Sequence, residues 1–144
     1  MNRSNLTHNL THWALHPQLA SDSHPIASFA LSELRLMDDA NYSWLVLVPR
    51  VPEARELIDL DAAQQALLMQ EIGRVSHALQ TLFRPHKLNI AALGNVVPQL
   101  HVHVIARQLD DPAWPAPVWG RVQACAYEPE TLVERVRQLQ AALR

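Results

Sequence analysis

Polar and apolar residues alternate without interruption through Gln99-Leu100-His101-Val102-His103-Val104, the signature of a β-strand with one buried face. Leu100, Val102 and Val104 then face a core, while Gln99, His101 and His103 share the opposite side. Side chains two apart on one face are separated by roughly 6.6 Å, so two imidazoles can address one small centre. The pattern predicts this strand over Gln99 to Arg107. Upstream, Trp44-Leu45-Val46-Leu47-Val48 is a continuous apolar run ended by Pro49, the mark of a buried strand. It pairs back, across a turn at Asp38-Asp39-Ala40-Asn41, on a strand predicted over Ile26 to Met37. Lys87 to Leu93 reads as another strand, with Gly94-Asn95 as the turn or bulge that follows.

Helical periodicity marks two further elements. Asp61 followed by Gln64 forms a capping-box pattern, and Leu68, Ile72, Val75, Leu79 and Leu82 recur behind it at steps of four and three. This predicts a helix to about Phe83, stopped near Pro85, with Gly73 admitting close packing inside it. The second helix has Pro129 in its first turn and Leu132, Val136, Leu139 and Leu143 as its apolar stripe. Residues 1–25 lack periodicity and read as an extended N-terminal arm, and 108–144 as a Pro- and Trp-rich loop followed by the C-terminal helix. Helices segregated from an antiparallel sheet of about five strands make the class α+β.

A chain of 144 residues with 49% hydrophobic content suits one domain, 1–144, with its own core. Twelve Lys and Arg, spread along a chain of net charge −2, give no footprint for gripping a nucleic-acid backbone. A single cysteine, Cys125, excludes an intramolecular disulfide framework and has no basic neighbour in sequence to activate it. No apolar run approaches a membrane span, and the expectation is a cytoplasmic protein.

His101 and His103 admit three readings. They are structural histidines, or two ligands of a metal completed by His77, His86 or the N-terminal histidines, or a nucleophile and its neighbour. A neutral imidazole offers a lone pair near pH 7 without an assisting base. Asn89 and Asn95 sit near turns, where asparagine commonly serves the backbone. Arg107 reads as an exposed strand-end arginine, and Trp114 and Trp119 as part of a loop packed against its own domain or a partner.

Taken together, Gln99 to Ile105, the approach Asn89-Ile90-Ala91-Ala92-Leu93-Gly94-Asn95-Val96-Val97-Pro98, and the hairpin strand ending Val46-Leu47-Val48-Pro49 resemble the histidine triad (HIT) superfamily. The resemblance spans roughly residues 26 to 107 and implies a HIT-like fold and chemistry at a nucleoside 5′-phosphate through a covalent nucleotidyl-histidine. It implies His101 as nucleophile, with Nδ1 held by the Gln99 carbonyl, and His103 contacting phosphate or the leaving group. It further implies Asn89 at the phosphate or the catalytic histidine, Gly94, Asn95 and Val96 as the phosphate-lining loop, and Asp38 at the ribose hydroxyls. A purine nucleotide as small-molecule substrate, no cofactor, no metal and a homodimer complete the expectation. Gln99 stands where the family has its first histidine, and Ser43-Trp44 where it has a Gly-His pair. Those departures keep two alternatives open, a nucleotide-binding module with little turnover and a metal-dependent enzyme using His101 and His103 as ligands.

Overall fold

β1 (Ser23–Ser28), β2 (Ser32–Met37), β3 (Ser43–Pro49), β4 (Lys87–Ala91) and β5 (Val102–Arg107) form one antiparallel sheet in the order β1-β2-β3-β5-β4. The helices are α1 (Pro17–Asp22), α2 (Ala62–Phe83) and α3 (Pro129–Ala142). This is a computed structural model, and it describes residues 12–144. The N-terminal residues up to 11, with the part of the predicted arm that falls on them, lie outside the described residues.

One sheet face carries Leu34, Leu36, Leu45, Leu47, Val102 and Val104 and is covered by α2 and α3 through Leu68, Val75, Leu79 and Leu139. The opposite face carries Trp44, Val46 and Ile105, and the loop after β5 covers it with Ala113 and Val118. Both faces of β3 are therefore dry, which explains an unbroken apolar run where half-buried strands alternate. The Pro- and Trp-rich loop packs on its own domain. α2 begins at the predicted capping box, with Asp61 Oδ1 accepting the Gln64 N–H at 2.8 Å and Gln64 Oε1 accepting the Asp61 N–H at 2.9 Å.

Three expectations need correction. The stretch Ile26 to Met37 is not one strand; it breaks at a turn where the Phe29 N–H donates to Ser32 O at 2.8 Å. That turn contains no Gly, Pro, Asn or Asp and is held from outside: Glu71 of α2 accepts the Leu31 N–H at 3.0 Å, and Arg50 donates to the carbonyls of Phe29 and Ala30. The arm ends at His16, because Pro17–Asp22 is helical and Ser23–Ser28 pairs with β2. Gly73 serves no close packing, since a methyl group there would meet nothing within 4 Å.

Candidate active site

The site grows from β5 and the chain that leads into it. Regular pairing begins at Val102 rather than Gln99, but the alternation survives: Leu100 enters the core, and His101 and His103 stand on the other face. Both imidazoles are buried, with ring centroids 4.9 Å apart and planes at 70°.

His101 has one nitrogen committed. Its Nδ1 lies 2.7 Å from the Gln99 carbonyl oxygen. A carbonyl only accepts, so Nδ1 carries the proton and the lone pair resides on Nε2. No hydrogen bond among the described residues engages Nε2, and the ring lines two clefts. One, of ≈ 470 Å³, has apolar walls from Leu19, Met37, Trp44 and Trp119, with Gln18 and Asp22 of α1 at its edge. The other, of ≈ 300 Å³, is polar and includes Arg55, Glu56, Pro98 and Gln99. Gly94 is a fitted glycine: a Cβ there would come 2.7 Å from His101 Cε1 and 2.8 Å from the Val97 carbonyl. The loop can press on the imidazole only without a side chain at that position.

His103 has both nitrogens committed. The Trp44 indole Nε1–H donates to its Nδ1 at 2.9 Å, and an indole N–H can only donate. The proton therefore sits on Nε2, which donates to the Leu93 carbonyl at 2.8 Å. Burial pushes the pKa of His103 down to about 4, the Leu93 hydrogen bond opposes that shift, and His101 adds to it. The ring is neutral at physiological pH, braced by Trp119 at 5.0 Å and Trp44 at 5.6 Å. The unfolded chain would protonate near 6.5, so stability from this group is complete above about pH 6.5 and lost as pH falls through about 4. The expected loss is about 3 kcal/mol. Denaturant unfolding between pH 7 and 4 measures it, and the dependence should shrink in His103→Gln.

The structure brings Gly94, Asn95 and Val96 beside His101 in the larger cleft. Asn89 and Asp38 line neither cleft that His101 lines. Asn89 Oδ1 accepts from Arg107 Nη1 at 2.7 Å. Arg107 is no exposed strand end: it is 1% exposed. It holds Asp111 through two hydrogen bonds of 2.8 and 3.1 Å and donates to the Ala116 carbonyl at 2.8 Å. Burial works against the Asp111 charge, but Arg107 and the N–H groups of Ala113 and Trp114 hold its carboxyl below the usual range. Asn89 thus anchors, through Arg107, the loop that delivers Trp119. Asp38 Oδ1 accepts the Tyr127 N–H at 3.0 Å and lies 3.2 Å from His24 Nε2. Chiefly the Tyr127 bond, with His24 assisting against desolvation, keeps the Asp38 carboxyl below its ordinary pKa.

Sequence reasoning missed Trp44 as the partner of His103, although its replacement of a family histidine was the available signal. It also missed Gln18, Leu19 and Asp22, for which α1 gives no periodic pattern, and Arg55. Among the described residues no three His, Cys, Asp or Glu side chains gather to hold a metal. His86, one suggested third ligand, packs edge-on to Trp114 at 5.1 Å. Among the described residues no helix is long and apolar enough to cross a membrane.

The family model for the HIT domain matches residues 18–110. A histidine triad protein from Bradyrhizobium japonicum is 50% identical with a TM-score of 0.90, over 92% of this chain and 99% of that one. A histidine triad protein from Marinobacter aquaeolei is 42% identical with a TM-score of 0.89, over 92% and 96% of the two chains. One from Sinorhizobium meliloti is 39% identical with a TM-score of 0.88, over 91% and 97%. No curated protein matches the chain.

Proposed function

The chain belongs to the HIT family, and on that premise we propose that it is a nucleotide phosphohydrolase or nucleotidyltransferase working through a nucleotidyl-histidine on His101. One observation carries the reading: a buried imidazole whose Nδ1–H is fixed on a carbonyl at 2.7 Å and whose Nε2 stays unengaged on the wall of a cleft. Nε2 attacks the α-phosphorus of a bound nucleoside 5′-phosphate. The Nε2–P bond forms, and the bond from phosphorus to the leaving group breaks with its electron pair going to that group. The charge spread over the imidazole is stabilised through Nδ1–H and the Gln99 carbonyl. Water or another acceptor then attacks phosphorus: the O–P bond forms, the Nε2–P bond breaks with its electron pair returning to Nε2, and the proton of the attacking hydroxyl passes to solvent.

The apolar cleft suits the nucleoside, because Trp44 and Trp119 offer aromatic surface to a purine. The polar cleft suits the leaving group, where Arg55 supplies positive charge. His103 is the neighbour on which a proton for the leaving group would depend, and its Nε2–H is committed to Leu93. A group that departs as a stable anion, as from a dinucleoside polyphosphate, needs no such proton; an amine departing from a phosphoramidate does. The anhydride is therefore the favoured substrate of the two. We place the enzyme in the cytoplasm as a homodimer, with Met69, Ile90 and Leu57 on the α2 and β4 side as its exposed apolar contact.

The test is incubation with a diadenosine polyphosphate and, separately, an adenosine phosphoramidate, followed by acid-free trapping and mass spectrometry. Turnover with an AMP adduct on His101, faster with the anhydride, is the expected result. AMP binding without turnover of either compound would instead establish a binding module.

A further inference from the structure

Gln99 does two things at once, and only one belongs to the chemistry above. Its backbone oxygen holds His101. Its side-chain amide holds a different part of the chain: Oε1 accepts the His16 N–H at 2.8 Å, and Nε2 donates to the Ala14 carbonyl at 2.8 Å. A primary amide presents a donor and an acceptor side by side, so it pairs with extended backbone as another strand would. A carboxylate at this place could only accept.

The clipped residues lead directly into α1. His16 is the N-cap of that helix, its Nδ1 accepting the Gln18 N–H at 3.0 Å. α1 has six residues, too few to be stable alone, so its position depends on tertiary anchors. At its C-terminal end α1 runs into β1, and the Asp38 N–H donates to the Asp22 carbonyl at 2.8 Å. Along its length Leu19 packs with Val48 and Val97 beneath Trp13 and Leu15; at its N-terminal end the anchor is the amide of Gln99. Gln18, Leu19 and Asp22 of the same helix wall the larger cleft.

We propose that Gln99 is a positioning residue that couples the nucleoside wall to the nucleophile: its amide clips residues 14–16 and so holds α1 against the cleft, while its carbonyl aims His101. The inference rests on the reading of that cleft as a nucleoside site. On this account the first triad position has exchanged an imidazole for a structural clip, and the side chain acts on binding of the nucleoside more than on the phosphorus step.

Hydrogen exchange by mass spectrometry over residues 12–22, AMP affinity by calorimetry, and KM and kcat separate the parts. In Gln99→Ala, exchange over this segment should quicken about tenfold, and Kd for AMP and KM should each rise about tenfold. The fall in kcat should be smaller than the rise in KM, because the carbonyl is retained. Gln99→Glu keeps the acceptor for His16 and loses the donor to Ala14, so it should fall between wild type and alanine in exchange and in affinity. Gln99→His, which restores three histidines, should bind AMP no better than wild type. Unchanged exchange in Gln99→Ala overturns the clip whatever the wild type turns over. Faster exchange with AMP affinity retained overturns the coupling. Faster exchange in a protein whose wild type binds no nucleotide overturns the nucleoside role together with the functional reading it rests on.

Discussion

His101→Ala should lose turnover by at least about 10⁴-fold, the order seen when an enzyme's nucleophile is removed, and the AMP adduct should vanish with it. The size of the effect follows from the absence of a substitute within reach. His103, at 4.9 Å between centroids, has its Nδ1 occupied by Trp44 and its Nε2 proton on Leu93. Freeing either nitrogen would strand a buried donor or acceptor, at about 1–3 kcal/mol. Single-turnover kinetics and intact-mass measurement on the same samples check both halves. A variant that still forms adduct, or loses less than about tenfold in rate, would refute His101 as nucleophile. AMP affinity should survive in His101→Ala within a few-fold, because the aromatic walls and α1 remain.

Arg107→Ala should destabilise the fold by about 3–5 kcal/mol, the range for breaking a buried ion pair from one side. Arg107 and Asp111 side chains are 1% and 5% exposed, and the pair is further tied to Asn89 and the Ala116 carbonyl. Alanine would leave the Asp111 carboxylate buried with only backbone N–H partners. Denaturant unfolding at constant slope measures the loss. Removing both charges in an Arg107→Met, Asp111→Asn pair should cost less than Arg107→Ala alone, because no unpaired charge remains and the amide oxygen still accepts the Ala113 and Trp114 N–H groups. Since this loop covers the second sheet face and carries Trp119, the single variant should also weaken nucleotide binding.

How far the sequence alone reached is visible in these residues. Alternation placed Leu100, Val102 and Val104 in the core and both imidazoles opposite because a strand's period of two is local and independent of its surroundings. The capping box fixed the start of α2 for the same reason. What escaped notice depends on partners distant in the chain. The turn between β1 and β2 is made by Arg50 and Glu71, and no local residue announces it. The bond from Arg107 to Asn89, a residue the family pattern puts at the phosphate or the catalytic histidine, joins side chains 18 positions apart. The N–H that donates to Asp38 Oδ1 comes from Tyr127 in the loop before α3, 89 positions along the chain. The indole that donates to His103 is brought to it by the register of β3 against β5, which local pattern does not specify.

The hydrogen bond from Trp44 to His103 makes the protein its own optical instrument. An indole that donates to an imidazole loses its acceptor when that imidazole takes a second proton, so the fluorescence of Trp44 should respond to the ionisation of His103. The same indole and Trp119 wall the larger cleft. Trp44 emission, isolated from that of Trp13, Trp114 and Trp119 by subtraction of a Trp44→Phe variant, should change as pH falls through about 4.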